Sequence, residues 1–151
     1  MERITSFTVD HTKLDPGIYV SRVDGDVTTY DMRVKKPNCG DYMTDVEMHT
    51  FEHMFATYVR NSEIAQSVIY FGPMGCQTGF YLLIRNAENT KVLSVIFDVL
   101  EKIISHEGEV FGASVEECGN YRCLELSSAK NVAKEYMDVL KNKENSFEYT
   151  V

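Results

Sequence analysis

Two histidines and a glutamate lie within a single turn of a predicted helix. The segment VEMHTFEHMF, residues 46–55, contains His49, Glu52 and His53. At about 100° per residue, His49 and His53 lie about 40° apart on a helix, and Glu52 lies about 60° to the other side of His49. This is the order of the H-x-x-E-H metal-binding motif. The segment therefore predicts a divalent metal site, although such pairs also occur on exposed or core-packed helix faces without a metal.

A metal site of this kind needs a third protein ligand, and a catalytic site leaves a fourth position open. The other histidines and the cysteines supply the candidates, which include His11, His106, Cys39 and Cys118. Cys118 is followed by Gly119, where a turn can bring a thiolate close to another element. A set of two histidines and one cysteine suits Zn²⁺ or Fe²⁺. The alternative is that Cys118 is an ordinary small buried residue.

Cys76 is a second residue whose surroundings could support chemistry. It lies in GPMGCQTG, residues 72–79, where glycines and a proline restrict the chain and expose backbone N–H groups. Such a turn suits a reactive thiol, but a thiol becomes reactive when a nearby cation or metal favours its thiolate form. Arg33, in YDMRV, is one source of positive charge. The alternative is a buried cysteine beside a tight turn.

The first third of the chain predicts strands. SFTVDH, residues 6–11, alternates Phe7 and Val9 with polar neighbours, which predicts an extended segment. Residues 17–34 form two further extended runs that flank Asp24-Gly25. An Asp-Gly pair between such runs is a strong hairpin signal, because both residues tolerate positive φ.

A helix, two strands and two further helices are predicted after this hairpin. Residues 43–61 predict the helix that carries the histidine pair, with Thr44 and Glu47 as a capping box. Residues 67–85 predict two strands that are joined by the turn containing Cys76.

The last two helices follow from the spacing of apolar residues. Residues 89–108 predict an amphipathic helix that stops at Gly108, and residues 127–143 predict a third helix with Ser127 or Ser128 as its cap. The predicted fold is an α+β single domain over 1–151, an antiparallel β-sheet with helices packed on one face.

Composition narrows the class of protein. The chain has 151 residues, of which 44% are hydrophobic and 25% charged, as in ordinary globular proteins. Its net charge of −8 argues against nucleic acid as a partner. No apolar run approaches the roughly 18 residues that a membrane span needs, and the N-terminus lacks an apolar signal region. We therefore expect a cytoplasmic protein, not bound to a membrane, whose four cysteines are reduced thiols.

Three motifs occur in one order: H-T-F-E-H at 49–53, G-P-M-G-C at 72–76 and E-C-G-N-Y at 117–121. In this order they resemble the LuxS family of S-ribosylhomocysteine lyases, which serve bacterial autoinducer-2 synthesis. The similarity extends from residues 6–11 to the final helix. It implies an α+β homodimer with active sites at the subunit interface. It also implies one divalent metal per subunit, expected to be Fe(II) with zinc or cobalt as substitutes, and no organic cofactor.

The resemblance also implies roles for individual residues. The metal ligands would be His49, His53 and Cys118, the acid/base residues Glu52 and Cys76, and the substrate-binding residues Ser6, His11 and Arg33. Cys123 departs from the family pattern, since an acidic or polar residue is expected at its position.

The implied reaction cleaves the thioether of a small-molecule substrate, S-ribosylhomocysteine. Successive enolisations and a β-elimination give homocysteine, which returns to the activated methyl cycle, and 4,5-dihydroxy-2,3-pentanedione, the autoinducer-2 precursor used in quorum sensing. The absence of a GxGxxG motif and of a P-loop agrees with a reaction that uses no organic cofactor.

Two other classes of function remain as alternatives. In an inverzincin-type metallopeptidase Glu52 would activate water, but those enzymes are much longer, take a glutamate as third ligand and leave Cys76 without a role. A non-enzymatic zinc-stabilised interaction domain would need four protein ligands, and no C-x-x-C supplies a second pair.

Overall fold

A four-stranded antiparallel sheet forms the centre of the protein, whose computed structural model describes residues 1–150. The strands are β1 (Gly17–Asp24), β2 (Val27–Arg33), β3 (Val68–Pro73) and β4 (Gly79–Arg85). Their order in the sheet is β1-β2-β4-β3, and each neighbouring pair is antiparallel. The predicted antiparallel sheet is thus confirmed.

The predicted hairpin joins β1 to β2, with its turn one residue later than the sequence indicated. Asp24 pairs with Val27, so Gly25 and Asp26 are the two turn residues. Gly25 has a φ of +61°, whereas Asp26 keeps a negative φ. A tight hairpin turn needs this left-handed conformation, and glycine adopts it without a steric cost.

Three helices accompany the sheet: α1 (Asp45–Val59), α2 (Asn89–Ser105) and α3 (Leu126–Lys141). The predicted capping box is present at α1, because the Thr44 hydroxyl accepts from the Glu47 N–H and the Glu47 carboxylate accepts from the Thr44 N–H. Glu125, rather than either predicted serine, is the residue at the start of α3. The Ser127 and Ser128 hydroxyls donate to the Glu125 carboxylate instead of capping backbone N–H groups.

The prediction of a strand over residues 6–11 is wrong. A short 3-10 helix occupies Thr5–Phe7 and turns follow it, with the Phe7 side chain exposed. The edge of β1 is bridged by a distant part of the chain, since the Val20 N–H donates to the Phe147 carbonyl (2.8 Å). Alternation alone does not make a strand, and the contact at the β1 edge comes from the C-terminal segment instead.

The helices cover one face of the sheet. Phe51 and Phe55 of α1 pack against Phe71 of β3, with ring centroids 6.1 and 4.4 Å away, and α2 packs against both α1 and α3. Alternate strand residues such as Tyr30 and Phe80 complete this core. We call the opposite side of the sheet the outer face; it carries the residues Asp31, Arg33, Tyr70, Tyr81 and Leu83. Among residues 1–150, no helix combines the length and apolar character needed to cross a membrane.

Candidate metal centre and active site

His49, His53 and Cys118 converge on one point. One ligand atom from each of the three lies within 4.8 Å of the others, and the His49 Nε2 to Cys118 Sγ distance is 3.4 Å. The two imidazole rings lie 4.7 Å apart, as their spacing on α1 predicts. Of the four candidates for a third ligand, the fold therefore brings Cys118 to the histidine pair.

The hydrogen bonds of the two imidazoles leave their other nitrogens free for a metal. His49 Nδ1 donates to the Cys123 carbonyl (2.9 Å), and His53 Nδ1 donates to the Phe111 carbonyl (2.8 Å). A carbonyl oxygen can only accept, so each Nδ1 carries the hydrogen and each Nε2 keeps its lone pair. The Asn120 N–H donates to Cys118 Sγ (3.4 Å), which suits a thiolate. This donor set fits a divalent ion such as Zn²⁺ or Fe²⁺.

Residues 106–125, the segment between α2 and α3, carry Cys118 and both carbonyl acceptors. We call it the ligand loop. At its start, the Tyr58 hydroxyl donates to His106 Nδ1 (2.7 Å), while His106 Nε2 donates to the Glu109 carbonyl (2.8 Å). At its end, the Glu125 N–H donates to the Thr50 hydroxyl (2.9 Å). Tyr58 and Thr50 both belong to α1, so the histidine helix also anchors the loop that brings Cys118.

Gly112 allows the ligand loop to approach His53 closely. A Cβ atom at this position would lie 3.1 Å from His53 Nδ1, and its φ is +70°. Gly119, the glycine that the sequence predicted to bring Cys118 close to another element, lies where a Cβ would meet open space. The turn before Cys118 is held by the Cys118 N–H, which donates to the Ser114 carbonyl (3.1 Å).

Cys76 lies next to a cation, as the sequence analysis anticipated. Arg33 Nη1 is 3.7 Å from Cys76 Sγ and donates to the Thr78 hydroxyl (2.7 Å), which is itself 3.0 Å from the sulfur. Cys76 is exposed, so the alternative of an ordinary buried cysteine does not apply. The guanidinium therefore places a positive charge beside the sulfur, which is a feature of reactive thiol sites.

Arg33 is held by a buried ion pair with Asp31, which the sequence analysis missed. Arg33 Nε donates to Asp31 Oδ1 (3.1 Å) and Nη2 donates to Oδ2 (2.7 Å), and the two residues are 2% and 1% exposed. Burial lowers the pKa of the guanidinium, but the Asp31 carboxylate outweighs it and the net pKa of Arg33 is raised. The spacing of Asp31 and Arg33 could have predicted this ion pair, because residues two apart on a strand share a face.

A cleft on the outer face brings four of the predicted site residues together. It has a volume of about 310 Å³ and is lined in part by Ser6, His11, Arg33 and Cys76. His11 Nδ1 donates to the Val9 carbonyl (2.9 Å), which leaves Nε2 free to meet a ligand. Ser6 reaches the cleft from the short 3-10 helix rather than from a strand.

The two groups of predicted site residues occupy different sides of the sheet. Arg33 and the thiol it contacts belong to the outer face, whereas α1 packs on the opposite face with His49, Glu52 and His53. Neither the cleft on the outer face nor a second one of about 250 Å³ that Cys76 also lines is lined by Glu52 or by a residue of the metal cluster. Within residues 1–150, Cys76 and Glu52 are therefore not lining residues of the same cleft among these two.

Comparison with known proteins identifies the family of the chain that carries this site. A family model described as S-ribosylhomocysteinase (LuxS) matches residues 4–147, which is nearly the whole chain. The chain belongs to the LuxS family. Both the metal cluster and the cleft around Cys76 lie within the matched residues.

Curated LuxS relatives are similar to this chain over almost their full length. An S-ribosylhomocysteine lyase of Borreliella afzelii is 45% identical over 99% of each chain. One of Finegoldia magna is 45% identical over 96% of this chain and 97% of its own, and one of Desulfotalea psychrophila is 44% identical over 94% of both. The four cysteines of this LuxS chain, at positions 39, 76, 118 and 123, are free thiols.

Proposed function

We propose that this chain is a metal-dependent carbon–sulfur lyase that cleaves S-ribosylhomocysteine to homocysteine and 4,5-dihydroxy-2,3-pentanedione, the autoinducer-2 precursor. The observation that carries the proposal is the cluster of His49, His53 and Cys118, in which both imidazoles present a free Nε2. Membership of the LuxS family and relatives named S-ribosylhomocysteine lyase support it.

The three clustered residues would hold one divalent ion per subunit, Fe(II) in its native form with zinc or cobalt as substitutes. A bound divalent ion supplies Lewis-acid stabilisation of negative charge on oxygen, a contribution of several kcal/mol. Three protein ligands leave one coordination position open, which is the arrangement of a catalytic site rather than of a structural one.

Cys76 and Glu52 carry the protons of the reaction. The carbonyl of the opened ribose must move along the sugar until the homocysteine sulfur is β to it. Each move removes a proton from a carbon next to the carbonyl and returns one to the neighbouring position. In the last step a base removes the α-proton, the carbon–sulfur bond breaks with its electron pair on sulfur, and the sulfur takes up a proton. No net oxidation or reduction occurs.

Substrate binding belongs to the cleft of Ser6, His11 and Arg33. These side chains surround the approach to Cys76 and offer a hydroxyl, a free imidazole nitrogen and a guanidinium edge. Since Arg33 is oriented by Asp31 on its other side, it can hold a substrate oxygen and contact Cys76 Sγ at the same time.

We further infer that the enzyme is a homodimer whose active sites lie at the subunit interface. The outer face and the N-terminal segment expose several apolar side chains, among them Phe7 (63%) and Tyr70 (51%), which suits a contact with a second copy. Pairing would place the Cys76 cleft of one subunit against Glu52 and the metal ligands of the other. This pairing is supported by the placement of Arg33, which contacts Cys76, on the outer face and of α1, which carries Glu52, on the opposite face.

The remaining expectations follow from this reading of the chain. Residues 1–151 form one lyase domain that acts in the bacterial cytoplasm on a small molecule. The peptidase alternative is disfavoured because the third residue of the cluster is a cysteine rather than a glutamate. The closed zinc-domain alternative is disfavoured because, among residues 1–150, the cluster has three members rather than four.

The decisive test is release of thiol from S-ribosylhomocysteine by the purified, metal-loaded protein. We expect one homocysteine for each substrate consumed, loss of activity after treatment with a chelator, and recovery on addition of Fe(II) or Co(II). Absence of thiol release by protein with full metal occupancy would contradict the proposed function.

A further inference from the structure

The C-terminal segment returns from the last helix to the outer face of the sheet. After α3 ends, Phe147 packs into the core, and its carbonyl accepts from the Val20 N–H (2.8 Å). The Tyr149 ring then stacks on the Tyr19 ring, with centroids 4.9 Å apart and planes inclined by 19°. These contacts fix the direction in which the Tyr149 side chain points.

Tyr149 reaches the buried ion pair beneath it. Its hydroxyl donates to Asp31 Oδ2 (2.8 Å), the same oxygen that accepts from Arg33 Nη2 (2.7 Å). Burial and the Asp31 carboxylate raise the pKa of Tyr149, so at neutral pH the hydroxyl keeps its proton and can act as a donor. Because Asp31 is 1% exposed, water does not readily replace this donor if it is lost.

The contacts continue from Arg33 to the thiol. Arg33 uses Nε and Nη2 on Asp31, which leaves Nη1 to contact Thr78 (2.7 Å) and Cys76 (3.7 Å). The guanidinium is planar and rigid, so an Asp31 carboxylate held in one orientation also fixes where Nη1 points. The Tyr149 hydroxyl is therefore linked through two buried side chains to the sulfur of Cys76.

We propose that Tyr149 is a positioning residue for Cys76, which acts by holding Asp31 and, through it, Arg33 against the thiol. The inference rests on the proposed function for the acid/base role of Cys76. Without the hydroxyl, Asp31 Oδ2 keeps a buried lone pair that lacks a donor, and the carboxylate is free to turn or to draw the guanidinium toward itself. In either case the guanidinium no longer holds its place against the sulfur, and the thiol loses the reactivity that this contact gives it.

The test compares the Tyr149→Phe variant with wild type in the full-length, metal-loaded protein. Phenylalanine keeps the ring that stacks on Tyr19 and removes the hydroxyl alone. We expect the rate of Cys76 alkylation by iodoacetamide at neutral pH to fall about fivefold, as for partial loss of a charge-assisted hydrogen bond. Alkylation of the exposed Cys39, measured in the same digest by mass spectrometry, should be unchanged.

Turnover provides a second measurement on the same variant. The kcat for thiol release should fall with the alkylation rate, and KM should rise modestly, because Tyr149 does not line the cleft itself but acts through Arg33, which does. Metal content should stay at the wild-type level, since Tyr149 contacts none of the clustered residues.

Tyr30→Phe is the matched control for loss of a tyrosine hydroxyl. Tyr30 is on the helix-covered side of β2, and its hydroxyl donates to Asn89 Oδ1 (2.6 Å). This variant should lose stability in thermal unfolding and leave Cys76 alkylation at the wild-type rate.

Two outcomes would overturn the inference: a wild-type alkylation rate of Cys76 in Tyr149→Phe, or an equal fall in both tyrosine variants. The alkylation measurement does not depend on lyase activity. If wild-type protein released no thiol but Tyr149→Phe still slowed alkylation, the proposed function would fail and the positioning role of Tyr149 would stand.

Discussion

His49 and His53 are oriented by backbone carbonyls rather than by other side chains. The acceptors are the carbonyls of Cys123 and Phe111, which any residue at those positions would supply. The orientation of the imidazoles therefore depends on the path of the ligand loop and not on the identity of its side chains. Cys118 contributes its thiol to the cluster, whereas Cys123, in the same loop, contributes its backbone carbonyl. The two cysteines can therefore be compared by substitution.

Cys118→Ala should lose most of the bound metal, because it removes the thiolate from the cluster. Elemental analysis of the purified variant measures the loss. Cys123→Ala is the matched control: it removes a thiol from the same loop and keeps the carbonyl that accepts from His49 Nδ1, so metal content should stay near wild type. Full occupancy in Cys118→Ala would exclude this residue as a ligand.

Glu52→Gln should retain metal and lose nearly all thiol release. The amide fills the same space on α1 as the carboxylate, but it cannot accept and return a proton. Metal content and turnover are measured on the same preparation. Activity within a few-fold of wild type would instead assign Glu52 a role in orienting a ligand.

Part of the site follows from sequence and part does not. The convergence of His49 and His53 follows from helix geometry, and the Asp31–Arg33 pair could have been found from their alternation on β2. Cys118 is 69 residues from His49 along the chain, so local geometry alone could not select it from four candidates. Tyr149, 118 residues from Asp31, carries no local signal at all.

Among the structural elements, the ligand loop depends on Gly112. Gly112→Ala should weaken metal binding about tenfold, because a Cβ 3.1 Å from His53 Nδ1 pushes the loop away from the imidazole and strains a φ of +70°. Competition with a chromophoric chelator measures the affinity.

Gly108→Ala is the matched control within the same loop. It imposes at least as much backbone strain, since a φ of +102° lies farther from the left-handed region that alanine tolerates, but its Cβ meets open space. If both variants bound metal equally well, contact with His53 would not be the reason for glycine at position 112.

The elements that were predicted correctly are those with local determinants. The α1 capping box and the β1–β2 hairpin depend on residues within a few positions of each other. Residues 6–11 have the alternation of a strand, but the edge of β1 is bridged by Phe147, far away in the sequence. Whether a segment pairs with a sheet edge depends on tertiary context, which a local alternation pattern does not show.

At the scale of the whole molecule, an active site shared between subunits predicts complementation between inactive variants. Mixed dimers of Cys76→Ala and Glu52→Gln contain one site with both substitutions and one site with neither. After equal mixing and subunit exchange, about half of the dimers are mixed, so activity should recover to about a quarter of wild type.

The control mixture combines Glu52→Gln with Cys118→Ala. Both substitutions affect the metal half of the proposed site, so every site in a mixed dimer carries one of them and the mixture should remain inactive. If the first mixture also remained inactive after verified subunit exchange, each site would lie within one subunit.

The ligand loop contains neither helix nor strand over residues 106–125, and turns hold its shape. Segments of this kind open locally at a lower free energy than the helices and strands they join. Opening would separate Cys118 from the two imidazoles of α1, so escape of the ion and exchange of the loop amides with deuterium would be one event. The residence time of the ion would then be set by how often this segment opens, and the loaded protein should protect these amides in proportion to its occupancy.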